Sequence, residues 1–277
     1  MDTQKVWYVT GASKGLGLAL VKKLLEDGYR VAATSRNLKQ LIEAVDVESS
    51  DFLPLEVDLT SDESVKESLE KTWQIFKSVD VVVNNAGYGI GGTIEELTDS
   101  ETRSNFDVNV FGTLNVIRQV MPYLRGQKSG HIINISSIGG FAGATGWSVY
   151  AASKFAIVGL SEVLAEDVKE FGIKVTVVMP GGFRTNFLSA DSIAYAAERI
   201  EGYTSVAASH AKYRDMDGAQ IGDPDKAADV FIELVTMKNP PVRLFIGSDA
   251  QNRALKKVET LADELKEFAT LTVSTDY

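Results

Sequence analysis

The sequence predicts a single α/β domain built on a doubly wound parallel sheet of about seven strands with helices on both faces. Three observations lead there. Short β-rich runs alternate with helix-length segments along nearly the whole chain. Several of those runs are almost continuously apolar, as parallel strands covered on both faces must be. A glycine-rich turn joins the first run directly to the first helical segment.

Taken in order, the first expected strand is Val6–Val9, followed by a turn into a helix over Leu16–Asp27. Strands are expected at Arg30–Thr34, Phe52–Val57 and Val79–Val83, with a helix over Asp62–Phe76 before the last of these. Thr60 and Glu63 stand at the spacing of a capping box in front of that helix. A helix over Glu101–Leu124, a strand at His131–Ile135 and a helix over Val149–Phe171 come next. Strand Ile173–Met179, helix Asp225–Met237, strand Val242–Ile246 and a closing helix at 251–268 complete the set. Parallel strands joined through helices require right-handed crossovers. Residues 186–223 interrupt the alternation and carry Phe187, Tyr195, Tyr203, Tyr213 and Met216. Long inserts of this kind are usually functional, and this one is expected to be a lid over substrate. No repeat, low-complexity tract or linker divides residues 1–277, so one domain is expected.

Composition removes several classes of function. The chain has 44% hydrophobic and 24% charged residues, ordinary globular values. With 0 Cys and only 2 His, His131 and His210, no metal site is expected. A net charge of −10 without a basic run argues against a nucleic-acid partner. The longest apolar runs fall short of the roughly 18 residues that span a bilayer, so no membrane partner is expected. β-type sequence from about Lys5 leaves no room for a signal peptide, and a cytoplasmic location is expected.

The turn reads Thr10-Gly11-Ala12-Ser13-Lys14-Gly15-Leu16-Gly17. Gly11 and Gly15 suit a sharp turn and close approach of a pyrophosphate, and Gly17 suits close packing of helix on sheet. The helix N-terminus offers free N–H groups and a positive dipole end. The context is that of a Rossmann-type dinucleotide site. The end of the second strand reads Thr34-Ser35-Arg36-Asn37, with no carboxylate to accept from a ribose 2′-hydroxyl. Arg36, with Lys14 in the turn, suits a 2′-phosphate, so NADP(H) is expected over NAD.

Tyr150-Ala-Ala-Ser-Lys154 lies in a helical pattern, which puts phenol and ammonium on one face. Nearby positive charge favours the phenolate of a Tyr whose ordinary pKa is about 10. These motifs, with Asn84-Asn85-Ala86-Gly87, Asn109, Ser136-Ser137 and Pro180-Gly181, stand in the order and approximate spacing of the short-chain dehydrogenase/reductase family, which the chain resembles from about Lys5 to Thr185.

That resemblance implies hydride transfer between a nicotinamide cofactor and a ketone, aldehyde or alcohol. Tyr150 is implied as general acid or base, Ser137 as stabiliser of the substrate oxygen and Lys154 as the group that lowers the Tyr150 pKa and holds the ribose. Asn109 is implied to hold a water in a proton relay. Ser35, Arg36, Asp58 and Leu59 fall at the adenine ribose and ring, and Asn85, Ala86 and Gly87 on the adenosine side. Pro180, Gly181 and Thr185 fall at the nicotinamide end. Gly222-Asp223-Pro224 and Asn239-Pro240-Pro241 resemble a branch likened to 17β-hydroxysteroid dehydrogenases. The chain lacks the glycine-rich ending of the ketoacyl reductases. The helices at 101–124 and 149–171 serve many relatives as a dimer surface, so a homo-oligomer, dimer or tetramer, is expected. Gly139, Gly140, Phe141, Tyr88, Ile90 and Trp147, with the aromatics of the insert, are expected to form an apolar pocket for a hydrophobic carbonyl or alcohol. The alternatives are a non-catalytic NADP(H)-binding regulatory protein of the same fold and an NAD-preferring alcohol dehydrogenase; the second predicts an acid at position 35 or 36.

Overall fold

The computed structural model describes residues 5–189 and 192–277. Met1–Gln4 of the expected domain and Ala190 and Asp191 of the expected insert lie outside the described residues.

In chain order the elements are β1 (Val6–Val9), α1 (Gly15–Glu26), β2 (Arg30–Ser35), α2 (Leu38–Val45), β3 (Phe52–Glu56), α3 (Asp62–Phe76), β4 (Val81–Asn84), β5 (Gly89–Gly91), α4 (Asp99–Phe106) and α5 (Gly112–Gln127). They continue with β6 (Gly130–Ile135), α6 (Ser148–Asp167), β7 (Ile173–Pro180), β8 (Ile193–Tyr195), α7 (Thr204–Asp215), α8 (Pro224–Thr236), β9 (Arg243–Ile246), α9 (Ser248–Glu267) and α10 (Ala269–Val273). Seven strands pair in the order β3-β2-β1-β4-β6-β7-β9, every pair parallel. The order reverses between β1 and β4, and the crevice beyond their carboxyl ends is where such sheets bind ligands.

Strand alternation divides the core between the two faces. Trp7 and Val9 of β1 pack with Leu20 of α1 and Phe231 of α8. Val6 and Tyr8 turn the other way, towards Leu69 of α3 and Val120 of α5. The Tyr8 hydroxyl meets Ser68 Oγ at 2.6 Å, so even this buried phenol is satisfied.

Several expected elements change on folding. Thr60 and Glu63 form no capping box: Ser61 caps α3 by accepting from Ser64 N–H, while Thr60 N–H and Oγ1 donate to Asp58 Oδ1. A capping box instead starts α4, where Thr98 and Glu101 exchange bonds. The expected 101–124 helix is broken by a π-turn over Asp107–Phe111, and the 149–171 helix ends at Asp167 before a 3₁₀ turn. The insert is not irregular throughout. β8 pairs parallel with β5, His210 of α7 bonds Gly146 O at 2.9 Å, and Arg184 donates to Gln220 O.

The helix Ser148–Asp167, mean hydropathy 1.3, is long and apolar enough by length and composition to cross a membrane. One side of it serves the core: Ile157 and Val158 pack on Val177 and Met179 of β7, and buried Ser153, Lys154 and Ser161 share the helix with them, while Phe155 and Val163 are exposed.

Candidate active site

β1 and β4 end side by side, and one threonine ties their loops together. Thr10 Oγ1 accepts from Asn85 N–H at 3.0 Å and Ala86 N–H at 3.1 Å. The Asn85 amide returns two bonds, to Thr10 O and Gly11 O. Gly11 and Gly15 have φ of 63° and 61°, the left-handed region that glycine enters without cost. A Cβ on Gly11 would stand 2.7 Å from Ala86 Cα, so the two loops touch only because it has none. Gly17 lies behind this contact, where a Cβ would meet Asn85 Nδ2 at 2.5 Å. No side chain caps α1, so its first N–H groups face the crevice, a cradle suited to a phosphate.

One cleft of about 560 Å³ runs along the carboxyl edge of the sheet. At one end it is lined by Ser13, Lys14, Ser35, Arg36, Asp58 and Leu59, and in the middle by Gly11, Gly15, Leu16, Asn85, Ala86 and Gly87. At the other end stand Ser137, Tyr150, Lys154, Pro180, Gly181 and Thr185. Among the expected site residues only Gly17 and Asn109 are absent from the lining, and both pack directly behind it.

Ser137 precedes a 3₁₀ turn, and its Oγ accepts from Gly139 N–H at 3.0 Å. Its own proton is left to point elsewhere. Gly139 packs against both Ser137 and Tyr150: a Cβ there would lie 3.4 Å from Ser137 Oγ and 3.5 Å from Tyr150 Cε1. Burial pushes the Tyr150 phenol up to about 12, with the Ser137 hydroxyl pulling the other way. Burial lowers the Lys154 ammonium to about 8. Lys154 Nζ donates to Ile135 O at 3.0 Å and lies 6.0 Å from the Tyr150 ring centre. The Tyr150 phenol therefore stands above its ordinary value, with burial the largest cause.

Asn109 sits in the π-turn, a distortion common at functional sites. Its amide clasps the Tyr88 peptide, accepting from Tyr88 N–H and donating to Tyr88 O, both at 3.0 Å. It also donates to Ser153 Oγ at 3.1 Å. Gly87 keeps the corner between Asn109 and Lys154 open; a Cβ there would stand 3.0 Å from Asn109 Oδ1 and 3.2 Å from Lys154 Nζ.

The expected apolar pocket divides. Tyr88, Gly139, Trp147, Phe187, Tyr213 and Met216 line the cleft. Ile90 is core, and Gly140 packs against Ser136 Oγ and the Lys154 backbone. Phe141 stacks edge-on with Phe245 at 5.2 Å. Tyr195 lies behind Trp147 against His210, and Tyr203 bonds Glu95 on the outside.

Sequence reasoning missed Thr10, Gln220, Asp249 and Arg253. Thr10 immediately precedes the glycines and could have been found there. The other three come from segments distant in sequence, and only the fold brings them to the cleft. Asp249 Oδ2 accepts from Gly182 N–H at 2.8 Å, and a Cβ on Gly181 would lie 2.1 Å from Asp249 Oδ1. Gly181 is therefore required by contact rather than by backbone conformation. Gln220 is 2% exposed, and among the described residues both its amide atoms lack a partner.

A family model for short chain dehydrogenases matches residues 5–195. The oxidoreductase BOA17 of Botryotinia fuckeliana is 37% identical over 260 residues, covering 93% of this chain and 94% of that protein. A 3-ketodihydrosphingosine reductase of Bacteroides thetaiotaomicron is 36% identical over 265 residues, 96% of each chain. Among solved structures, a short-chain dehydrogenase from Streptomyces avermitilis superposes with a TM-score of 0.91 at 34% identity, covering 99% of both chains. Two more distant structures share the fold. One is a short-chain dehydrogenase/reductase of Burkholderia phymatum in complex with NAD (TM-score 0.81, 22% identity, 97% of both chains), the other ElxO with NADP bound (0.74, 24%, 90% of this chain and 99% of that one). A match over most of the chain, on a seven-stranded Rossmann sheet, makes this protein an oxidoreductase of the short-chain dehydrogenase/reductase family.

Proposed function

We propose that the protein is an NADP(H)-dependent reductase of ketones or aldehydes, able to run the matching alcohol oxidation in reverse. One observation carries the reading: Ser137, Tyr150 and Lys154 line one end of a cleft that runs past the uncapped α1 N-terminus to Lys14 and Arg36. When bound, the nicotinamide supplies the hydride.

The chain's own residues do the rest. The glycine turn and α1 receive the pyrophosphate, while Arg36 and Lys14 receive a 2′-phosphate, since no carboxylate ends β2. Asp58 and Leu59 flank the adenine, Lys154 holds the nicotinamide ribose, and Pro180, Gly181 and Thr185 bound the nicotinamide end. Ser137, its Oγ already accepting from Gly139, donates its proton to the substrate oxygen. Tyr150, held near 12, is protonated at neutral pH and gives that proton to the oxygen as charge develops there. Lys154 at about 8 is mostly charged at neutral pH and keeps positive charge beside the phenol. The corner that Gly87 opens between Asn109 and Lys154 is where a water would relay the replacement proton.

Phe187, Leu188, Tyr213 and Met216 of the insert favour an apolar body on the substrate, and the insert acts as its lid. The substrate in the name of the Bacteroides reductase, 3-ketodihydrosphingosine, is a ketone and agrees in class.

Titration with NADPH and NADH tests the cofactor, with tighter NADPH binding expected; equal affinities would remove Arg36 and Lys14 from their role. Tyr150→Phe tests the chemistry. Turnover is expected to vanish with cofactor binding retained, and surviving turnover would contradict the assignment.

A further inference from the structure

The wall of the cleft holds a buried amide with nothing to bond. Gln220 lines the cleft, and neither its Nε2 nor its Oε1 meets a partner among the described residues. Of the described buried side chains it alone has two such atoms. An amide taken out of water without partners costs stability, and native folds leave few of them.

The fold fixes this side chain in place. Residues 182–184 and 220–222 run side by side: Gly222 N–H donates to Gly182 O at 2.9 Å, and Arg184 N–H donates to Gly222 O at 2.8 Å. The Arg184 guanidinium donates twice to Gln220 O, at 3.2 Å and 3.1 Å. Gln220 Cβ and Cγ pack on Gly182, each 3.7 Å from where a Cβ would stand there. The amide is thus held in the wall rather than on a free loop. The neighbouring carboxylate is engaged elsewhere. Asp249 Oδ2 accepts from Gly182 N–H at 2.8 Å, and Oδ1 lies over Gly181.

An amide offers donors on one side and an acceptor on the other. A carboxylate would satisfy only Nε2, and an ammonium only Oε1. A neutral group that donates and accepts at once, a hydroxyl or a carboxamide, satisfies both. Gln220 stands near the end of the insert whose Phe187, Leu188, Tyr213 and Met216 line the same cleft. Those side chains suit an apolar body, and Gln220 suits one neutral polar group upon it.

We propose, on the reductase reading above, that Gln220 is a specificity-determining residue: it hydrogen-bonds a hydroxyl or carboxamide of the substrate, apart from the carbonyl that Ser137 and Tyr150 receive. The substrate class narrows to apolar ketones or aldehydes with a second, neutral polar function. Sites built to bond such a group discriminate against analogues that lack it.

Straight-chain 2-ketones of increasing length, each plain or ending in a hydroxyl or a carboxamide, are titrated calorimetrically into the protein with NADP+ in place, so that the ketone binds without being reduced. At one chain length the polar end should tighten binding by roughly 10-fold, and Gln220→Met should abolish that gain. No gain at any length, or a gain that survives in the variant, would overturn the proposal. NADP+ affinity should be equal in the two proteins; a loss in Gln220→Met would give the amide to the nicotinamide and overturn it too. Gln220→Met should melt no lower than wild type, because the amide has no internal partner to lose. A clear drop would make Gln220 a structural residue and count equally against the proposal. Turnover is read separately with NADPH. Tighter binding of the polar ketones without any reduction would contradict the reductase reading alone, and reduction without that gain would contradict the role of Gln220 alone.

Discussion

Replacing Lys154 by methionine should stabilise the fold while abolishing turnover. The Lys154 side chain is 5% exposed, and burial takes its ammonium from 10.5 to about 8. A shift of that size corresponds to roughly 3 kcal/mol of penalty on the folded charged form. Against it stands the bond to Ile135 O, whose loss costs about 1 kcal/mol. A methionine of similar length should therefore leave the protein ~1–2 kcal/mol more stable at pH 7. The sign with pH follows from linkage. Below 8 the lysine is charged in both states and the penalty is constant. Between 8 and 10.5 the unfolded chain binds more protons than the folded one, so wild-type stability rises relative to the variant and the methionine's advantage disappears. Urea denaturation of both proteins at pH 7 and pH 10 measures this, with comparable m-values confirming the same transition. A variant less stable than wild type at pH 7, or a gap independent of pH, would refute the reasoning.

Arg36→Ala should weaken NADPH by about 10- to 100-fold through loss of a charge-assisted contact and leave NADH nearly unchanged, as read by fluorescence titration. Gly181→Ala forces a Cβ to within 2.1 Å of Asp249 Oδ1 and should destabilise the protein by roughly 1–3 kcal/mol. Combined with Asp249→Ala it should cost less than the two changes summed, and strict additivity in a double-mutant cycle would show that the contact does not limit the loop. His131, lowered to about 3 by burial and bonded to Thr176 Oγ1, is neutral in the fold. The unfolded chain takes up its proton first as pH falls. Stability held above pH 6.5 should thus decline towards pH 3 at up to about 1.4 kcal/mol per unit from this residue. His131→Gln should flatten that decline in denaturant melts across the range.

The sheet was legible because parallel strands buried on both faces leave continuous apolar runs, and because Gly11 and Gly15 mark the one turn that must approach a ligand. Most of the residues expected at the cofactor line one cleft because they follow a strand end or open a helix at the sheet's carboxyl edge. Capping was harder to read. Thr60 and Glu63 have the spacing, yet Asp58 draws in both Thr60 donors and Ser61 takes the cap. The insert hid β8 because a three-residue strand has no periodicity to detect, and α7 because its apolar residues form no regular stripe. Tyr195 and Tyr213 could not be sorted from sequence: both are aromatic, and only the pairing of β8 with β5 and the packing of α7 on Trp147 put one behind the cleft and the other into it. Gln220, Asp249 and Arg253 gave no signal because nothing local distinguishes a polar residue that long-range packing brings to the cleft.

The most direct test of the central claim is NADPH consumption by the purified protein across a panel of hydrophobic ketones and aldehydes, run beside Tyr150→Phe. Reduction of at least one class by the wild type, lost in the variant, is the result predicted here. A protein that binds NADPH tightly yet consumes none across the whole panel would contradict it.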